Sequence, residues 1–244
     1  MVKIIIYLMK LLLLLVASIF FISCRYTVDT DQTQGSGNVI TQERTISKDF
    51  TKVEANQGIN VIIQQSDKKS VVVEADDNII DRITTKVVNG VLIIESENGF
   101  NTQNTPEVVI KMPIISGLAS NTGASITGNN NLITENIEIN ASGASEINIE
   151  VEADNIVIES NSGSEVKVIG KALKLKTVAT SGSEIIADGL ITNEIYSEAS
   201  SGSSIIVMPV LKLQARASSG SSVQYKKTPK ILSKEESSGG SVSL

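Results

Sequence analysis

Two glutamates, Glu165 and Glu184, each stand two residues after a glycine, in "SGSEV" and "SGSEI", and a third, Glu146, follows a glycine in "SGASEI". If the chain coils once per repeat, these carboxylates lie on adjacent coils. Stacked carboxylates repel unless a cation or water screens them, and a Ca²⁺ ladder would need about six to eight oxygens. The Gly-Gly-x-Gly-x-Asp nonapeptide of calcium-binding solenoids is absent. The matching position elsewhere is serine: Ser125, Ser145, Ser204, Ser222 and Ser241. Glu146, Glu165 and Glu184 are therefore read as a solvated outer face, and no metal or other cofactor is expected. Glycoside hydrolysis would need two carboxylates at a set separation across the sugar. Sugar sites usually add aromatic platforms, yet aromatics are only 3% of this chain and histidine is absent. There is no Ser-His-Asp set, no Cys-His pair and no clustered base with cations. The reading is non-catalytic, with a polysaccharide lyase or hydrolase on the same scaffold as the alternative. Rows of serine hydroxyls could bind ice or glycan, or could be corner chemistry alone.

The single cysteine, Cys24, ends "MVKIIIYLMKLLLLLVASIFFISC". Lys3 and Lys10 precede an apolar run from Leu11 to Ile22, the pattern of an export signal. Residues 4–22 hold one lysine and come close to the length of an uncleaved membrane span. "FISC" resembles a bacterial lipobox, with Phe21 in place of the usual Leu, and makes Cys24 the lipidation site after removal of residues 1–23. An exported chain with one cysteine has no internal disulfide to make, so the residue needs another role. The expected partner is a membrane, reached through acyl chains on Cys24. The net charge of −6 lacks the basic footprint of a nucleic-acid binder.

Those residues must be positioned by strands. Residues 24–44 are polar with a Gly-Ser-Gly centre and read as a flexible tether. Residues 45–112 read as an antiparallel meander or cap. "GINVIIQQ" and "KSVVVEA" flank a turn signal, and "RITTKVV" and "VLIIESE" flank Asn89-Gly90, whose residues tolerate the positive φ a tight hairpin needs. From residue 113 to 244 a Ser/Thr-Gly corner recurs at Gly123, Gly143, Gly163, Gly182, Gly202, Gly220 and Gly239, at intervals of 18 to 20 residues. A fixed period near twenty marks a repeat architecture. Three residues after each glycine stand Ile126, Glu146, Val166, Ile185, Ile205, Val223 and Val242. The exception, Glu146, precedes Ile147 as if one residue had been inserted. Leu173, Leu175, Ile195, Leu211, Leu213 and Leu232 lie seven or nine residues upstream of a corner.

This pattern predicts an all-β fold, a parallel β-helix or solenoid with coils of about twenty residues, each run pairing in parallel with the same run one coil on, roughly 4.8 Å away. A narrow core of Ile, Val, Leu and Ala accounts for the scarcity of rings. A β-sandwich has no reason to keep such a period, and a leucine-rich horseshoe would need a Leu and Asn pattern that is missing. The last coil, "SSGGSVSL", shows no polar cap, and solenoid ends without one expose strand edges. Self-association through that end is the expectation.

The lipoprotein signal, then "VEANQGINVIIQQ" with Gly58-Ile59-Asn60, then "VVNGVLIIES" and the Ser-Gly-Ser repeats together resemble the family described as putative auto-transporter adhesin, head GIN domain. The resemblance covers about residues 46–244 and implies a right-handed parallel β-helix in the Bacteroidetes cell envelope, with no catalytic residues to transfer. The expected protein is an outer-membrane lipoprotein, facing either the periplasm or the outside, that adheres to or scaffolds a glycan or protein ligand.

Overall fold

Alternation of apolar and polar residues sets every long strand. In Glu165–Ala179, Val166 and Val168 point inward while Glu165 and Lys167 point to solvent. The computed structural model describes residues 32–244, together with Lys10. Residues 1–9 and 11–31, including Cys24, lie outside the described residues, and so does most of the proposed signal.

The strands Glu146–Ser160, Glu165–Ala179, Glu184–Ala199 and Ser204–Ala217 each make most of one coil and pair in parallel with the next. The fold is an all-β solenoid of about 7 turns. Ile147, Val166, Ile185, Ile205, Val223 and Val242 are successive register partners and form one buried column. A second column runs Leu118, Ile139, Ile158, Thr177, Ser197, Ala215. Its side chains shrink along the stack, and where they become polar they satisfy each other: Thr177 Oγ1 donates to Ser197 Oγ at 2.8 Å, both fully buried. Leu173 and Leu211, although apolar like the runs around them, lie where the register pairing lapses within their strands and are 51% and 37% exposed.

Each Ser-Gly corner is two consecutive residues with left-handed backbone, such as Ser181 (φ 55) and Gly182 (φ 71). The N–H of the second donates to the carbonyl of the first on the next coil, as from Gly182 to Ser201 at 3.0 Å. All seven glycines have positive φ, but Gly143 takes the first corner position and Ala144 (φ 59) the second. Glu146 is consequently in register with Ser125 and Glu165. Ser145, aligned with Ser125 from the spacing alone, belongs one column earlier, with the buried Ser164, Ser183, Ser203 and Ser221.

Those buried serines explain the second serine of Ser-Gly-Ser. Ser183 Oγ accepts from the Thr180 N–H of its own coil at 3.1 Å and donates to the Ser160 carbonyl of the preceding coil at 2.6 Å. Ser164, Ser203 and Ser221 repeat both bonds. Polar groups removed from water at the bend thus keep their partners.

The N-terminal cap contains antiparallel pairs: Ile83–Val88 with Val91–Ser96 around Asn89-Gly90, and Ser70–Asp76 with both Glu107–Met112 and Val39–Glu43. It also contains coils. Lys52–Ala55 and Asn60–Gln65 flank an eighth corner at Gln57-Gly58 and pair in parallel with Gly117–Asn121 and Ser125–Gly128. On their other side they pair in parallel with Val91–Ser96 and Glu107–Met112. The runs either side of the turn at 66–68 therefore do not form a simple hairpin, because Glu107–Met112 lies between them and bonds to both. The stretch expected as tether is structured over its described part. Thr33–Gln34 pairs with Phe100–Asn101, and Val39–Glu43 covers the edge of Ser70–Asp76. Val39–Glu43 pairs on that one side among the described residues and is exposed throughout, so it is itself the edge strand there. At the far end Ile231–Glu236 and Ser241–Ser243 each bond to one neighbouring strand among the described residues, and Ile231–Glu236 is exposed throughout.

A graded stability series checks this corner geometry. A Cβ on Gly182 would meet no atom within 4 Å, so Gly182→Ala loses only the left-handed penalty, about 1–2 kcal/mol. Ala144→Gly should recover a similar amount at its corner. A Cβ on Gly170 would sit 2.1 Å from the Val151 carbonyl oxygen, so Gly170→Ala must displace a coil and should lose most. Urea unfolding should order the midpoints as Ala144→Gly, unsubstituted chain, Gly182→Ala, Gly170→Ala.

Candidate ligand-binding face

The glutamates singled out for their spacing do stand side by side. Glu146, Glu165 and Glu184 are successive register partners, flanked by Ser125 and Ser204. Glu146 and Glu165 are exposed and Glu184 half-buried. Among the described residues no group of three His, Cys, Asp or Glu side chains is placed to hold a metal ion. The exposed serines of the corners, Ser162, Ser181, Ser201 and Ser219, have left-handed backbone, while the buried row is occupied with backbone bonds.

A different set of side chains meets on the outward face of the strand that precedes each corner. The register places Asn155, Lys174, Glu194 and Lys212 in one column. Two residues along the strand, Val157, Lys176, Tyr196 and Gln214 form the next outward column. Between the columns runs a groove of about 270 Å³, floored by Ile156, Leu175 and Ile195. Its volume is near the lower end of small-ligand sites. It crosses four coils, so it is elongated along the solenoid axis.

Tyr196 is the aromatic of this groove, and its position is held from two sides. Its hydroxyl donates to Glu198 Oε2 at 3.1 Å and accepts from Arg216 Nη1 at 3.4 Å. The Arg216 guanidinium stands 5.9 Å from the ring centroid and is itself paired to Glu235, Nε to Oε2, at 2.8 Å. Burial, together with the Glu198 carboxylate, pushes the Tyr196 phenol above its ordinary value. The bond to the Glu235 carboxylate pushes Arg216 up. Exposed pairs of this kind add little to stability. Their effect here is to hold a ring and a guanidinium in place. Elsewhere on the surface, the Asp77 carboxyl is held below its ordinary value by bonds from the Ser36 hydroxyl and the Asn38 amide. It belongs to the polar clasp that fixes residues 36–38 to the cap.

Lys174, Lys176, Tyr196 and Lys212 were not among the residues selected from sequence. The signal was present in the alternation of "KLK" at 174–176, which puts both lysines on one face, and in the repeat period, which puts Tyr196 and Lys212 on the same face one and two coils later.

Stacked parallel coils with a groove along one outer face define a β-solenoid. The model of the family described as "Putative auto-transporter adhesin, head GIN domain" matches residues 49–229, and the chain belongs to that family. Among solved structures, a putative adhesin from Bacteroides fragilis is 22% identical, with a TM-score of 0.80 over 86% of this chain and 98% of that one. A putative lipid binding protein from Parabacteroides distasonis is also 22% identical, with a TM-score of 0.72 over 87% of this chain and 98% of that one. A putative adhesin from Parabacteroides merdae is 18% identical, with a TM-score of 0.71 over 87% and 98%. At these identities the likeness is one of fold. No curated protein sequence matches the chain.

The environment of Tyr196 can be read by absorbance titration, with Tyr196→Phe as the blank that isolates its signal from the other tyrosines. The phenol should ionise above its ordinary 10.0. Glu198→Gln, which removes the neighbouring negative charge, should lower that midpoint. An unmoved midpoint would contradict the contact.

Proposed function

We propose that the protein is a non-catalytic adhesion module of the cell envelope, carried on the outer membrane by acyl chains at Cys24 and binding its ligand on the outward solenoid face. The observation that carries this reading is the groove crossing four coils, where Lys174, Lys176, Lys212 and Tyr196 converge. A rigid parallel stack presents such residues at a fixed spacing, which suits an extended ligand. The family description supports an adhesin role, and the export pattern ending at Cys24 supports the membrane anchor. Acylation at one cysteine with more than one chain would make that attachment stable. The cap, with its clasp over residues 33–43, then stands between the anchor and the coils in sequence.

Two measurements check this together. Cys24→Ser should abolish incorporation of labelled palmitate and shift the protein from the membrane to the soluble fraction. Protease added to intact cells should remove the unsubstituted protein from the surface. Its survival in intact cells, with digestion after lysis, would place it in the periplasm and contradict adhesion to other cells.

A further inference from the structure

The groove has a longitudinal charge pattern. Taken coil by coil, its outward pairs are Asn155 with Val157, Lys174 with Lys176, Glu194 with Tyr196, and Lys212 with Gln214. Cationic coils thus alternate with uncharged or acidic ones. Adjacent coils are separated by about 4.8 Å, so the two cationic coils lie about 9.6 Å apart. None of Lys174, Lys176 and Lys212 has a carboxylate within ion-pair distance among the described residues. The chain as a whole carries −6, yet three lysines and one glutamate line this groove.

We propose that the groove binds a linear polysaccharide carrying a carboxylate on alternate sugar residues, lying along the solenoid axis. The proposal rests on the adhesion reading above and adds the ligand to it. A separation of two coils is close to the length of a disaccharide. Carboxylates one disaccharide apart would meet the lysines of two coils. The intervening neutral sugar would lie on the coil of Glu194 and Tyr196, where the ring offers an apolar platform and the carboxylate accepts from a hydroxyl or amide. Glu194 also supplies discrimination: a polymer charged on every residue would set a carboxylate against it, and like charges brought together this way disfavour the wrong partner. The fixed Tyr196 ring is a platform that needs little ordering on binding.

The test is isothermal titration of the full chain in dodecyl maltoside micelles with three probes. These are a hyaluronan oligosaccharide, charged on alternate residues; an oligogalacturonate of equal length, charged on each; and phosphatidylglycerol vesicles. The hyaluronan probe should bind more tightly than the oligogalacturonate, and binding should weaken with salt. The triple variant Lys174→Gln, Lys176→Gln, Lys212→Gln should bind about tenfold more weakly or worse, since several exposed charge pairs are lost together. The control Lys227→Gln, Lys230→Gln, outside the groove, should bind as the unsubstituted chain does. Glu194→Gln should narrow the preference against oligogalacturonate. The substituted lysines are exposed, and unchanged melting would show that the fold is intact.

The proposal is overturned if hyaluronan does not bind, if the triple variant binds it unchanged, or if oligogalacturonate binds as well. It is likewise overturned if vesicles bind through these lysines in preference to the oligosaccharide. Cleavage of the bound hyaluronan would support the ligand class and overturn the non-catalytic reading beneath it, so the two can fail separately.

Discussion

The structure depends on parallel backbone register from one coil to the next. Every outward column described above exists only because each strand bonds to the same strand one coil on. That register is set at the corners, where two left-handed residues turn the chain and a buried serine ties its own coil to the one before. The buried serine satisfies an amide of its own coil and a carbonyl of the coil before. A neutral hydrogen bond of this kind contributes only about 1 kcal/mol. Repeated at Ser164, Ser183, Ser203 and Ser221, it fixes alignment more than it adds stability.

Given that register, the surface follows by arithmetic. Side chains alternate in and out along a strand, so an apolar column fixes the polar column beside it. Ile156, Leu175, Ile195 and Leu213 face inward, and therefore Val157, Lys176, Tyr196 and Gln214 face out. No loop has to close to assemble the groove. The charges on it are spaced by the backbone and not by the flexible lysine stems, which suits recognition of a polymer whose own charges repeat.

Much of this was legible in the residues. The spacing of Gly163, Gly182, Gly202 and Gly220 with Val166, Ile185, Ile205 and Val223 carried the coil length and the inward column. The late arrival of Ile147 reads as an insertion, but the turn from Ala141 to Glu146 is as long as that from Ser160 to Glu165; Gly143 stands one place early, making Gly143-Ala144 the left-handed pair, and the extra residues of the coil lie at 128–131. Two things were hidden for physical reasons. Gln57-Gly58 is an eighth corner, but its coil stacks on residues some sixty-five positions away in sequence, as the Gly58 to Thr122 bond shows, so no local period reveals it. Leu173 and Leu211 are as apolar as the runs around them, and hydropathy does not mark the places within a strand where the pairing lapses and a side chain turns outward. The lysine groove is not legible in local spacing, because Lys174 and Lys212 become part of one site only when the strands are stacked. In the N-terminal third, short runs were compatible with a meander, and only long-range pairing shows which of them continue the coils.

The central claim is that successive repeats advance by one strand spacing along a single axis. Nitroxide labels on Glu146→Cys and Ser222→Cys, in a Cys24→Ser background, would sit four register steps apart, and a label on Ser241→Cys would sit five steps from Glu146→Cys. Double electron–electron resonance should give narrow distributions near about 19 Å and about 24 Å, the second longer by one coil. Broad distributions, or a second distance no longer than the first, would mean that the repeats do not stack in register and that the columns forming the groove do not exist.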